Sequence, residues 1–189
     1  MELIKSLLVN YINCFKKCVT LNGYNGRASR FEFWGFLAVS FVISIILELT
    51  FMVKESLLIL TAIYSVIILL PTTAVTTRRL HDVDQSAWTM VTMPLISLGL
   101  LLVVSFLDFF FIFLGVFGLF AALFIVFFPL FKFLYWLWMK GNLHKNSYGQ
   151  PIRVDAHDDS LASYFGFALL SIYVLIALFT SLSSKLFSD

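Results

Sequence analysis

The chain has 189 residues, of which 60% are hydrophobic and only 13% charged, and its formal net charge is +2. Soluble domains carry about 25% charged residues to cover their surfaces, so this composition excludes an ordinary water-soluble fold. So small a net charge also gives no basis for nucleic-acid binding.

Residues 3–18 are predicted to form an amphipathic interfacial helix. Ile4, Leu7, Leu8, Tyr11, Ile12 and Phe15 recur at helical spacing, while Lys5, Asn13, Lys16 and Lys17 lie largely elsewhere. An apolar face flanked by lysines suits an anionic leaflet, and the same face would serve equally for packing on other helices. Cys14 and Cys18 stand four apart on one helix face. That spacing is poor for a disulfide and offers at most half a zinc site, so both are read as inert thiols. No cleavable signal peptide and no lipidation pattern are expected.

A helix needs about 20 apolar residues to cross about 30 Å of hydrocarbon. The predicted spans are Phe33–Val53, Leu57–Thr77, Trp88–Leu107, Phe109–Met139 and Leu161–Leu182. Lys54, Glu55 and Ser56 give a tight hairpin between the first two. Asp108 divides the third from the fourth, with Gly115 and Gly118 as an alternative turn. With five spans, eleven of the thirteen Lys and Arg residues fall on one side, against only Lys54 and Lys185 on the other. Positive charge is retained on the cytoplasmic side, so the N-terminus is expected inside. The expected fold class is all-α: a polytopic helical membrane protein of about five transmembrane helices after an interfacial helix.

Ser29-Arg30-Phe31-Glu32 fits a capping box at the start of the first span, with Ser29 bonding the Glu32 amide and Glu32 reaching back. Trp34 is expected at headgroup depth, and Ser86 followed by Trp88 opens the third span in a similar way. Three segments on the basic side stand out: Gly26-Arg27-Ala28-Ser29-Arg30-Phe31-Glu32-Phe33-Trp34, then Arg78-Arg79-Leu80-His81-Asp82, then Asn146-Ser147-Tyr148-Gly149-Gln150-Pro151. Over about residues 10–152 the set resembles the family of small bacterial inner-membrane proteins of the YhaH type, the domain of unknown function eight hundred and five. The resemblance implies a bacterial inner membrane and four or so helices, and it implies no activity. On that basis residues 1–155 form the family-like membrane domain and 156–189 a C-terminal extension with an added span.

Interface anchoring accounts for Arg78 and Arg79 at the end of the second span but not for His81 and Asp82 beside them. Pro71 removes a backbone hydrogen bond from the same helix, and nearby threonines can re-satisfy its carbonyls. Thr72, Thr76 and Arg79 then share a face, with Thr89, Thr92, Pro94 and Ser97 of the third span at comparable depth. Two broken, hydroxyl-lined half-helices below an arginine pair predict a polar pocket open to the cytoplasm. Arginine offers bidentate contacts to phosphate, so an anionic lipid headgroup is the expected ligand. Gly26, Arg27, Ser29, Arg30, Glu32, Phe33, Trp34, Trp88, Asn146, Tyr148, Gly149 and Pro151 complete the candidate site. Self-association or another membrane protein is the alternative use of this face.

Other chemistry is less well marked. His81 and Asp82 could be a base and its orienter, but sequence neighbours rarely meet in that geometry, and no nucleophile is marked. His144, His157, Asp155, Asp158 and Asp159 read as a solvated loop rather than a metal cluster. No metal and no cofactor are expected, and the chain is not read as an enzyme. Glu48, Asp108 and Lys132 fall near span ends, where side chains reach water, so no midplane charge marks coupled transport. A small oligomeric channel or transporter stays as the alternative, with a membrane-embedded enzyme behind it.

Overall fold

The computed structural model describes residues 2–20, 23–53, 58–106 and 115–152, and beyond them 160–162, 164–169, 171, 172 and 175. The described elements are helices: α1 (Glu2–Val19), α2 (Arg30–Val53), α3 (Leu58–Asp82), α4 (Thr89–Phe106) and α5 (Gly115–Trp138). A shorter apolar helix follows at Ser160–Leu169. No strand occurs among the described residues, apart from one isolated bridge between Asn146 and Gly149.

Three helical stretches are long and apolar enough to cross a membrane: Arg30–Glu48, Ile59–Asp82 and Phe120–Trp138. Thr89–Val104 and Ser160–Leu169 are apolar but shorter. On α3, Ile59, Leu60, Ile63, Val66, Ile67, Leu69 and Leu70 are all exposed, and α4 and α5 present comparable surfaces. In water so large an apolar surface would drive aggregation; against acyl chains it is the expected exterior. The chain is a polytopic helical membrane protein. Gly115 and Gly118 are already helical, and residues 107–114, with Asp108, lie outside the described residues, as does much of the predicted last span.

α2 packs on α3, α4 packs on α5, and α3 also touches α4 and α5. The start of α2, the ends of α3 and α5 and the start of α4 meet at one end of the bundle, here called the basic end. Pro71 lies inside α3 without ending it. The expected break is therefore absent: losing one hydrogen bond does not stop the ladder where no water competes for it.

One face of α1 packs on α2 and α3, and another stays exposed. Ile4, Leu8 and Ile12 recur every fourth residue and are exposed. The opposite face lies across α2 and α3. There Tyr11 stacks on Phe36 at 5.2 Å, and the hydroxyls of Tyr11 and Tyr64 meet at 3.2 Å. The Asn10 amide donates to the Glu32 carbonyl at 3.0 Å. Gly35 allows this crossing, because a Cβ there would press on Leu7 and Asn10.

The packed core lies near the basic end and is small. Cys14, Phe33, Trp34, Phe36, Val75, Leu80 and Leu137 are its buried members, joined by Ala162 of the last helix. Trp34 and Trp138 meet edge to face at 5.5 Å, and a Cβ on Gly166 would strike both rings. Trp34 is therefore a packing residue and not the interfacial anchor expected of it. Trp88 is 72% exposed and is free to occupy that position.

Candidate functional site

The first motif begins as the capping rule expects. The Glu32 amide donates to Ser29 Oγ at 3.0 Å and the Phe33 amide to the Ser29 carbonyl at 3.1 Å, so Ser29 caps α2. The reciprocal half of the box is missing. The Glu32 carboxylate instead accepts from Lys17 of α1 at 2.8 Å and from Arg78 of α3 at 2.5 Å. A charge-assisted bond to a buried arginine outweighs one to a helix-end amide that water can reach.

Just before Ser29 the chain turns through Gly26, whose φ of +83° favours glycine. The turn aims Arg27 at the end of α3. Its Nε donates to Asp82 Oδ1 at 2.7 Å, and its Nη atoms reach the carbonyls of His144 at 3.1 Å and of Asn142. Arg79, one turn before Asp82 and fully buried, donates to the other carboxylate oxygen at 2.5 Å. Its remaining donors go to Leu137 at 3.0 Å and to Met139, with Ala28 at 3.4 Å. Arg30 Nη1 meets the Trp138 carbonyl at 3.5 Å. Three successive carbonyls at the end of α5 are thus met by arginines from two other helices, where cations are favoured by the helix dipole.

The third motif is clipped to the second. Asn146 Nδ2 donates to the His81 carbonyl at 2.7 Å, and the Tyr148 amide donates back to Asn146 Oδ1 at 2.9 Å, which closes an Asx turn. That turn lays the Tyr148 ring flat on the His81 imidazole, with centroids 3.7 Å apart and planes within 5°. His81 Nδ1 contacts the Gly26 carbonyl at 3.1 Å. Backbone bonds complete the knot, from Ala28 to Arg78 and from Asn142 to Asp82, each at 2.9 Å. Gly141 is required beside it, because a Cβ there would run into the Asp82 carboxylate.

The three motifs are therefore one structure, a clasp of buried arginines that ties loop 139–150 to the ends of α2 and α3. His81 and Asp82 face different partners and do not form a dyad. Asn142, Gly141 and Lys140 join the site without having been singled out from the sequence. The carbonyls they sit among carry no side-chain signature, so only a run of polar and glycine residues after an apolar helix marked the place.

Beside the clasp lies a cavity of about 280 Å³, lined by Arg27, Ser29, Arg30, Arg79, Asp82, Lys140, Gly141, Asn142, Leu143, Pro151 and Ile152. Its described lining holds four cationic side chains and one carboxylate. Several predicted members lie elsewhere. Arg78 is on the α1 side with Glu32, and its Nε and Nη2 are buried without a partner among the described residues. Thr72 and Thr76 turn their hydroxyls back to Ile68 and Thr72 carbonyls of their own helix, both at 2.7 Å. The pocket expected between α3 and α4 is thus replaced by one between the start of α2, the end of α3 and the loop after α5.

On the α1 side, burial and then the nearby Glu32 carboxylate push the Cys14 thiol up to about 12. No group of three or more His, Cys, Asp or Glu suited to a metal ion occurs among the described residues, and Asp155, His157, Asp158 and Asp159 lie outside them.

A family profile described as a protein of unknown function, DUF805, matches residues 21–150, which contain the first two motifs and all of the third but Pro151. The inner membrane protein YhaH of Escherichia coli K12 is 34% identical over 105 residues, covering 51% of this chain and 81% of its own. The inner membrane protein YhaI of the same strain is 32% identical over 93 residues, covering 48% of this chain and 70% of its own. No solved structure matches. A multi-pass inner-membrane protein with the three-motif clasp of arginines at one end of its bundle, this chain belongs to the DUF805 family of proteins of unknown function.

Proposed function

We propose that this protein is a non-enzymatic membrane module that binds an anionic, phosphate-bearing headgroup in the basic cavity, with that end of the bundle cytoplasmic. One observation carries the reading. Arg27 and Arg79 are both buried and share the single carboxylate of Asp82, while the cavity beside them adds Arg30 and Lys140. A phosphate-bearing anion entering the cavity would meet Lys140 and the guanidinium groups of Arg27 and Arg79, the donor chemistry that suits phosphate. Lys140 is exposed at the mouth and is paired with no carboxylate among the described residues, so it is the natural first contact. The excess of Lys and Arg on this side supports the orientation.

The headgroup of an anionic phospholipid and free phosphate share this chemistry, and thermal melting separates them. In mild detergent, phosphatidylglycerol should raise the melting temperature and phosphatidylcholine should not, with the gain reduced in Lys140→Gln. A ligand at a hundred times its Kd stabilises by about 2.7 kcal/mol, so the shift is measurable. If inorganic phosphate reproduced it, the ligand would be the free anion. Equal shifts in Lys140→Gln and wild type, or none with any anion, would remove the reading.

A further inference from the structure

Along α2 the residues Arg30, Trp34, Leu37, Phe41 and Ser44 follow one another at steps of four and three, which makes them a single stripe on the helix. Arg30 lines the basic cavity. The other four line a separate open groove of about 380 Å³, closed by side chains of α3, α5 and Leu169. At a rise of 1.5 Å per residue the stripe is ~21 Å long. It descends from the basic end into the part of α2 that crosses the membrane.

We infer that one phospholipid is held along this stripe, with its phosphate in the basic cavity and one acyl chain in the groove. This rests on the headgroup reading above and adds what kind of ligand bears the phosphate. The groove offers an occupant almost nothing polar. The hydroxyls of Ser40, Ser44 and Thr72 in its wall each donate to a carbonyl of their own helix, at 2.8, 3.0 and 2.7 Å. A chain without hydrogen-bonding groups therefore fits, and a sugar or peptide does not.

Depth separates a phospholipid from a simple hydrocarbon. Trp34, one helical turn after Arg30, lines the groove, and its buried Nε1 has no hydrogen-bond partner among the described residues. An ester carbonyl of a glycerophospholipid arrives at that level, one helical turn below the phosphate, and can accept from it after a small shift of the ring.

The test is native mass spectrometry of the full chain in mild detergent. The protein is first equilibrated with vesicles of phosphatidylglycerol and phosphatidylethanolamine in equal parts. Wild type should retain phosphatidylglycerol. Ser44→Leu, which fills the groove and forfeits only an intrahelical bond, should reduce retention about tenfold. Ser65→Leu, the same exchange outside the groove with the same loss of an intrahelical bond, should retain lipid like wild type and so controls for the exchange itself. Glycerol phosphate, a headgroup without chains, should fail to displace the lipid at equal concentration.

Full retention in Ser44→Leu, with loss in Lys140→Gln, would overturn the acyl-chain inference and leave the headgroup reading standing. Retention unchanged in both variants would overturn both. Displacement by glycerol phosphate would place no chain in the groove. A dimer that Ser44→Leu dissolves would make the groove a helix seat and would also overturn the inference.

Discussion

Asp82 holds Arg27 and Arg79 with opposite oxygens of one carboxylate, at 2.7 and 2.5 Å, although Arg27 precedes α2 and Arg79 ends α3. This arrangement joins two motifs that lie 55 residues apart. It also turns an adjacent Arg-Arg pair into two unlike residues, since Arg78 faces Glu32 and α1 instead. Helical geometry is the cause, because neighbouring residues point about 100° apart around the axis.

Asp82→Asn should therefore be the most damaging single isosteric change at this end of the molecule. A buried pair contributes little net stability, but removing one partner costs about 3–5 kcal/mol because the other charge is stranded. Here one substitution takes the carboxylate from two buried arginines at once. Glu32→Gln should cost less, because Lys17, one of its two partners, is half exposed. Thermal melting of the purified variants in one detergent gives the order. A melting temperature for Asp82→Asn equal to wild type would refute the clasp as a stabilising element.

The two cysteines should react very differently with maleimide. Cys14 is fully buried, and burial together with Glu32 moves its thiol from 9.0 to about 12, while Cys18 is partly exposed. Only the thiolate attacks, so Cys18 should be labelled at neutral pH and Cys14 only after denaturation. The sign for stability follows from the raised value. The contribution of the protonated thiol is complete below pH 9.0 and is lost as pH climbs towards about 12. Peptide mapping after labelling would show the contrast, and rapid modification of Cys14 in the folded protein would refute the α1–α2 packing.

Tyr148 should matter for its ring. Stacked aromatic pairs contribute about 0.5–1.5 kcal/mol beyond burial. Tyr148→Ala should accordingly loosen loop 139–150, and trypsin should cut more quickly after Lys140 and Lys145. Tyr148→Phe should be cut at the wild-type rate. Equal cleavage of Tyr148→Ala and wild type would mean that the His81 stack does not hold the loop.

Features set by local physics were legible in the sequence. The helical membrane class followed from apolar run length, and the Ser29 cap followed from residues three apart. What failed depended on distant partners. The local pattern has Glu32 closing its own capping box, but its carboxylate is taken by Arg78, 46 positions away. Trp34 has the composition of an interfacial anchor, and only the arrival of Trp138 and Gly166 buries it. Threonines and prolines in α3 and α4 point to a polar pocket between those helices. The walls of the basic cavity are instead set by backbone carbonyls after α5, which no residue type announces. The three motifs signalled that something was built at this end, without the pairing that says what.

The central claim is that the basic cavity holds a phosphate-bearing anionic lipid, and phosphorus content tests it most directly. Wild type and Lys140→Gln would be purified from the same membranes in mild detergent, and lipid phosphorus per polypeptide measured in each. The account predicts tightly held phosphatidylglycerol in wild type, near one molecule per chain, and clearly less in the variant. Identical phosphorus in the two proteins, or none in wild type, would contradict it.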